Sequence, residues 1–150
     1  MQTTIKVRGY HLDVYQHVNN ARYLEFLEEA RWAWLEETES FHWMTTNHLA
    51  FIVVNININY RRPAVLGDVL LVSSWVQQLF GKSVVIAQTV TLQPGCEVVA
   101  HALLPFVCSD MRTRHAQPPE GALHPRLEAI LLPWSFSTVF SLIPPNVQLH

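Results

Sequence analysis

The chain has 150 residues, about half of them hydrophobic, which is the size of one ordinary domain and enough to bury a core. Its formal net charge is -2, and the sequence contains no long run of basic residues. Both features argue against nucleic acid as a partner. Cys96 and Cys108 lie in apolar, strand-like sequence, and no signal-peptide pattern is visible at the first residue. We therefore expect reduced, buried thiols in a cytoplasmic protein rather than a disulfide.

The predicted elements begin with a strand and a long helix. Residues 1–10 alternate apolar and polar side chains, which is the period of a half-buried strand. From about Asn20 to Glu39 the period becomes helical, with apolar residues three, four and seven apart. These residues are Tyr23, Phe26, Leu27, Ala30 and Trp34. Other apolar side chains fall outside this stripe, so we expect the helix to be enclosed by other elements.

Four further strands are predicted after the helix. Residues 50–62, "AFIVVNININYRR", alternate apolar residues with asparagine, a pattern typical of a strand. Three more strands follow, at about Val69–Leu79, Ser83–Gln93 and Cys96–Met111, separated by short "FGK" and "PG" turns. Pro105 predicts a bulge or a sheet edge within the last strand, because proline cannot donate to a ladder.

This element order predicts an α+β domain in which a five-stranded antiparallel sheet wraps around one long central helix. We assign the domain to residues 1–132 and residues 133–150 to an uncharged C-terminal tail of unknown role. Prolines divide the apolar tail into pieces shorter than the roughly 20 residues of a membrane span, so no span is expected. The outer face of the sheet needs a cover, so we expect a homo-oligomer, either dimer or tetramer.

The polar loop before the helix, "HLDVYQHVNN", carries the candidate chemistry. The first turn of a helix has backbone N–H groups without partners and a partial positive charge. Asn19 or Asn20 is the expected N-cap, and Asp13 lies six or seven residues upstream. A carboxylate beside such donors suits attack on an acyl carbonyl. A loop that only caps the helix is the alternative interpretation.

A metal site is a further alternative for the same loop. His11, Asp13 and His17 could act as ligands, but a zinc site needs three or four of them. The other histidines show no ligand-type spacing among themselves or with the cysteines. We therefore expect no metal.

Two stretches resemble a known family. "DVYQHVNNARYLEFLEEAR" is similar to the signature Asp-x-x-x-His-x-Asn-Asn-x-x-Tyr, followed by Glu-x-Ala-Arg, of hotdog-fold acyl-CoA thioesterases of the 4-hydroxybenzoyl-CoA thioesterase-like group. "NININYRRPAVLGD" is similar to the central strand and turn of that group, and the match is nearest to its bacterial long-chain members. The resemblance covers roughly residues 1–112 and fades after about residue 115. It implies the hotdog fold and hydrolysis of acyl-CoA without a cofactor.

The resemblance also implies roles for single residues. Asp13 matches the catalytic carboxylate, acting as nucleophile or general base, and the backbone N–H near Asn20 matches the group that polarises the thioester carbonyl. His17 matches the motif histidine, to which we assign a supporting role toward Asp13, substrate or water. Glu28 and Arg31 match as well, but an ion pair between residues three apart on a helix explains them equally.

Binding of the rest of the substrate needs charge and an apolar channel. Coenzyme A carries phosphates, for which Arg61, Arg62 and Lys82 are the candidate partners, although the arginines could equally be solvated charges at a strand end. Phe26, Trp34 or the segment "FHWM" could line an acyl tunnel, or could simply be core. A hydratase or dehydratase of the same fold and a non-catalytic acyl-CoA sensor are the rival functions, and the characteristic hydratase motif is absent.

Overall fold

The structure is a computed structural model that describes residues 1–119, 121, 123–125 and 127. The tail predicted at residues 133–150 therefore lies outside the described residues. Among the described residues up to Gln117, the helices are a short 3-10 helix (Gly9–His11), α1 (Asn20–Glu37) and α2 (Ser40–Thr46). The strands are β1 (Gln2–Lys6), β2 (Leu49–Val53), β3 (Asn57–Tyr60), β4 (Val69–Phe80), β5 (Ser83–Gln93), β6 (Glu97–Asp110) and β7 (His115–Gln117).

All seven described strands belong to one antiparallel sheet. The continuous path runs β1-β4-β5-β6-β2, and both β3 and β7 also pair with β6. Short turns connect β4 to β5 and β5 to β6, as the "FGK" and "PG" signals predicted. The structure thus confirms the α+β class and the order of strand, helix and antiparallel strands.

The strand predicted over residues 50–62 is in fact two strands, and Pro105 explains the interruption. On one side of β6, Pro105 pairs with Val85 of β5, so β6 lies inside the sheet. On the other side it faces the gap between β2 and β3, where its carbonyl accepts the N–H of Val54 at 3.0 Å. Proline has no N–H to return to that neighbour. The edge or bulge expected at Pro105 is therefore wrong, because the irregularity falls on the adjacent strand.

Helix α1 packs on one face of this sheet. Its buried side chains are Tyr23, Phe26, Leu27, Ala30 and Trp34, the five that the spacing predicted. Alternate residues of the strands meet them, and Val72, Val90 and Leu104 are among those with no exposed surface. Each fully buried aliphatic or aromatic side chain of this kind stabilises the fold by about 1.5–3 kcal/mol.

The end of α1 differs from the prediction by two residues. The helix stops at Glu37, and the hydroxyl of Thr38 donates to the carbonyl of Trp34 at 2.8 Å. Glu39 takes a positive φ of 53°, which turns the chain directly into α2. No sequence signal indicated α2, since seven residues without a capping side chain show too little periodicity.

The two cysteines have different surroundings. Cys108 is buried on β6, as expected, whereas Cys96 is exposed because the turn after β5 extends through it. Both thiols are free. Within the part of the chain that the structure describes, no helix is long and apolar enough to cross a membrane.

Candidate active site

The start of α1 provides one uncommitted backbone donor. Asn19 is the N-cap, because its side-chain oxygen accepts the N–H of Ala21 at 2.9 Å and its carbonyl accepts the N–H of Arg22 at 2.9 Å. The N–H of Asn20 has no hydrogen bond among the described residues. Asn19 therefore caps the helix, and Asn20 contributes the N–H that has no partner among the described residues.

Asp13 lies in a short loop that closes on itself next to this donor. Leu12 and Val18 form an isolated β-bridge, and the N–H of Asp13 donates to the carbonyl of His17 at 2.9 Å. One carboxylate oxygen of Asp13 accepts the N–H of Tyr15 at 2.8 Å. The side chain is thus oriented through one oxygen, while its other oxygen has no hydrogen bond within the described chain.

The loop, the helix start and the end of β3 enclose an open pocket of about 440 Å³. This volume is in the range of small-molecule sites. Five of the six residues that the sequence singled out line it together. The lining consists of Asp13, His17, Val18, Asn20, Tyr23, Tyr60, Arg61, Arg62 and Pro63.

Tyr60 is a lining residue that sequence reasoning missed as part of the site. Its hydroxyl donates to the carbonyl of Asn20 at 2.9 Å, and its ring stands edge-on to Tyr23 with centroids 5.4 Å apart. The end of β3 is thereby held against the start of α1. The signal was available in "NYRRP", where Tyr60 immediately precedes the two arginines, but alternation alone indicated only a side chain on the apolar face.

Tyr23 matches the family motif but is suited to packing rather than proton transfer. It is almost fully buried. Burial raises the pKa of Tyr23 to about 12, and the nearby Tyr60 and Asp68 act in the same direction, while a hydrogen bond with the backbone of Ala64 opposes them. Its phenol therefore stays protonated at neutral pH.

The two arginines in the pocket are not equivalent. The backbone N–H groups of Arg61 and Arg62 both donate to the carbonyl of Val99, at 2.8 and 3.2 Å, which fixes the strand end. The guanidinium of Arg62 forms an ion pair with Glu97. Arg61 is exposed and has no ion pair within the described residues, so its charge is available to an anionic ligand.

Lys82 is not brought to this pocket. It lies in the turn between β4 and β5, where Ser83 pairs with Val107 of β6, whereas Arg61 is bonded to Val99. These two positions on β6 are eight residues apart, or about 26 Å at the usual strand rise. Within one chain Lys82 therefore lies away from the two arginines, because the length of the hairpin carries the turn to the other end of the sheet. Its role toward coenzyme A stays a prediction.

Arg31 does not form the ion pair expected with Glu28. Its guanidinium instead donates to the side-chain oxygen of Gln88 at 2.9 Å. The Gln88 amide nitrogen donates in turn to the carbonyl of Leu27 at 3.0 Å and to the hydroxyl of Ser74 at 2.8 Å. Burial lowers the pKa of Arg31, and the charge of Glu28 acts in the opposite direction. This cluster lies between α1 and the sheet, and each of its members has a hydrogen-bond partner.

His11 supports the loop from below. Its Nδ1 accepts the N–H of Arg8 at 2.9 Å, its carbonyl accepts the N–H of Asn19 at 2.9 Å, and its ring stands edge-on to Phe26. Burial and the charge of Arg22 lower the pKa of His11, which keeps Nδ1 free to accept. Among the residues that the structure describes, no three of His, Cys, Asp and Glu are grouped so as to hold a metal ion.

Comparison with known proteins identifies thioesterases as relatives of this chain. The model of the Thioesterase-like superfamily matches residues 7–145. The chain is 63% identical over 131 residues to a protein named Long-chain acyl-CoA thioesterase FadM from Escherichia coli strain K12, covering 87% of this chain and 99% of that protein.

Solved structures agree with the sequence comparison. The crystal structure of YbaW, a probable thioesterase from Escherichia coli, is 63% identical and superposes with a TM-score of 0.82, covering 88% of this chain and 99% of that one. A thioesterase from Thermus thermophilus, complexed with coenzyme A and Zn, is 28% identical with a TM-score of 0.71, covering 86% and 92% of the two chains.

The fold and these comparisons together identify a thioesterase with the hotdog fold. The chain belongs to the Thioesterase-like superfamily, which confirms the family expected from the two motifs.

Proposed function

We propose that the chain hydrolyses long-chain fatty acyl-CoA thioesters to free acid and coenzyme A. One observation carries this proposal: the uncommitted carboxylate oxygen of Asp13 and the uncommitted N–H of Asn20 belong to residues that line one open pocket. The name of the relative that is 63% identical supports the substrate class.

In this proposal Asp13 acts on the thioester while Asn20 receives the charge that develops. As a general base, Asp13 takes a proton from a water molecule whose oxygen attacks the carbonyl carbon. As a nucleophile, its carboxylate attacks directly, and water then hydrolyses the resulting anhydride. In both routes the C–S bond breaks, coenzyme A leaves as the thiolate, and an oxyanion forms that the Asn20 N–H stabilises. Such a donor lowers the activation free energy by about 3–4 kcal/mol.

The remaining lining residues take supporting roles. His17 is exposed at the pocket, one residue before buried Val18, where its ring can orient Asp13, the substrate or water. Arg61 contacts a coenzyme A phosphate, since its charge is not neutralised within the described chain. Arg62 contributes less, because Glu97 already competes for its guanidinium. Lys82 is left out of the proposed site.

We further infer a cytoplasmic homo-oligomer in which each sheet wraps one central helix. Four large apolar side chains are exposed near the break between β2 and β3: Ile52, Val53, Val54 and Ile56. Exposed apolar side chains along an outer strand favour pairing with a second copy of the chain. A dimer through this edge or a tetramer that also uses the outer sheet face would cover them.

The test of the proposed activity follows free thiol released from acyl-CoAs of 8 to 18 carbons, with binding of the same compounds measured by calorimetry. We expect thiol release at a rate proportional to enzyme concentration and unaffected by chelators. Binding without any thiol release would instead support a sensor. Loss of the double-bond absorbance of an enoyl-CoA without thiol release would support a hydratase.

A further inference from the structure

A second cavity lies at the other end of α1, outside the pocket that contains Asp13. It occupies about 630 Å³ between the last turn of α1 and α2. Leu35, Phe41 and Trp43 give it apolar walls, with His42 and the acids Glu36 and Glu39 also in its lining. Its size is in the range of a ligand site, whereas nothing in the proposed chemistry at Asp13 uses it.

The cavity is bordered by aromatic surface that is left in contact with solvent. Phe41 is 49% exposed and Trp32 is 37% exposed, and the two rings stand edge-on with centroids 5.1 Å apart. Exposed aromatic area of this kind favours an apolar ligand, because covering it with hydrocarbon removes it from water.

One side of α1 joins the two cavities. Asn20 of the first pocket and Leu35 of the second cavity lie on the same side of the helix, 15 residues apart. Leu24 and Arg31, which are 4 and 11 residues after Asn20, lie between them on this stripe. Leu24 is partly exposed on this stripe. The guanidinium of Arg31 donates a hydrogen bond to Gln88, so the methylene groups of Arg31 form the surface of the stripe at this position.

The strand segment that follows α2 returns along this side of the helix. At one end the Tyr60 hydroxyl is bonded to Asn20 of the first pocket. At the other end Leu49 packs in the same apolar cluster as Leu35 and Trp43 of the second cavity. The two cavities therefore lie at opposite ends of the same pair of elements, which are α1 and the strand segment after α2.

We propose that the acyl chain of the substrate runs along this stripe and ends in the cavity between α1 and α2. This proposal rests on the proposed function. From Asn20 to Leu35 the helix rises about 22 Å. An extended alkyl chain advances about 1.25 Å per bond, given C–C bonds of about 1.5 Å. With the thioester carbonyl at Asn20, carbons 16 to 18 lie about 19–21 Å along the helix, less than one turn short of the Leu35 backbone. The Leu35 side chain leans back toward the helix N-terminus, so the cavity accepts the terminal methylenes of a C16–C18 chain.

Two tryptophan substitutions on the same stripe test this assignment. Leu24 lies about 6 Å along the helix from Asn20, so every fatty acyl chain of ten or more carbons passes it. Leu35 is reached only by the longest chains. The measurement is kcat/KM for thiol release from C10-CoA and C16-CoA, with the melting temperature of each variant as a check of folding.

For Leu35→Trp we expect kcat/KM on C16-CoA to fall at least about 10-fold while that on C10-CoA stays within about twofold of the wild type. For Leu24→Trp we expect both substrates to lose activity to a similar degree. Equal losses on C10-CoA and C16-CoA for Leu35→Trp, or no loss on either, would overturn the assignment.

Phe41→Ala keeps the proposal testable if Leu35→Trp does not fold. Removal of this exposed ring is expected to lower kcat/KM on C16-CoA about 10-fold and to leave C10-CoA unchanged, and an unchanged C16-CoA rate would count against the cavity. Failure of the proposed function is a distinct result, because the wild-type protein would then release no thiol from either substrate.

Discussion

Two groups of polar side chains lie along α1, and they differ in how fully their hydrogen bonds are used. Midway along the helix, Gln88 joins Arg31, Ser74 and the carbonyl of Leu27 in a cluster with no exposed surface at the glutamine. At the start of the helix, the Asp13 pocket is open, and one carboxylate oxygen and one N–H have no hydrogen bond to any described residue.

The polar groups of the Gln88 cluster therefore stabilise the fold, whereas those of the Asp13 pocket are available to a substrate. A buried cluster stabilises the fold when each member has a partner, and it has no capacity left for a ligand. An open pocket with uncommitted groups contributes little to stability but can bind and polarise a substrate. Substitutions in the first group should therefore change the free energy of unfolding, and substitutions in the second should change kinetic constants.

The largest expected effect on stability is that of Gln88→Leu. The change leaves the Arg31 guanidinium, the Leu27 carbonyl and the Ser74 hydroxyl without their partner, so we expect the free energy of unfolding to fall by about 3 kcal/mol. Urea denaturation measures it. The same change at Gln93, whose amide bonds are long and partly exposed, is the control and should cost less than about 0.5 kcal/mol. Equal losses of unfolding free energy for Gln88→Leu and Gln93→Leu would contradict the structural role of the Gln88 cluster.

The next effect concerns substrate affinity. Arg61→Ala should raise KM for acyl-CoA about 10-fold with little change in kcat, because an unpaired guanidinium is lost. Arg62→Ala is the matched control and should raise KM less, since Glu97 already neutralises that side chain. The Arg61 variant should also lose part of the salt dependence of KM. A larger effect at Arg62 than at Arg61 would contradict the proposed division.

The smallest expected effect is a dependence of stability on pH. Burial is the first cause that lowers the pKa of His11 and of His101 below the ordinary 6.5, and the charges of Arg22 and Arg61 respectively add to it. The unfolded chain binds these protons near pH 6.5 while the folded chain resists them. Stability should therefore be full above pH 6.5 and fall as the pH decreases from there through the lowered folded pKa values.

The urea midpoint between pH 7.5 and 5.5 measures this effect. His11→Asn retains an oxygen that can accept the N–H of Arg8 but cannot titrate, so its midpoint should fall less than that of the wild type. His101 should account for part of what remains. Identical slopes for the wild type and the variant would mean that His11 takes no part.

Periodicity predicted the helix, its buried face and most strand bounds, because these follow from which residues must avoid water. It failed where long-range pairing decides the outcome. The break at residues 54–56 depends on Pro105, which lies some fifty positions away in the chain. The partner of Arg31 is Gln88 rather than the helical neighbour Glu28, since burial brings an amide from β5 within reach.

The site was predictable to the extent that its residues are close in sequence. Asp13, His17 and Asn20 belong to one loop and one helix start, so local spacing was sufficient to group them. Arg61 joined them through the resemblance and the chemistry of phosphates. The separation of Lys82 from the pocket within one chain was not predictable, because charge type says nothing about which end of a long hairpin a turn occupies.

Asp13→Asn tests the central claim most directly. Asparagine keeps the side-chain oxygen that accepts the N–H of Tyr15, so the loop should retain its geometry while the charge and basicity are lost. Asp68→Asn is the matched control, because Asp68 also accepts a backbone N–H, from Val65 at 2.9 Å, and does not line the pocket. The measurement is kcat for thiol release from a long-chain acyl-CoA. A fall of at least about 100-fold for Asp13→Asn, with Asp68→Asn unchanged and both proteins folded, is the predicted result. A folded Asp13→Asn protein that retains a rate near that of the wild type would contradict the proposed mechanism.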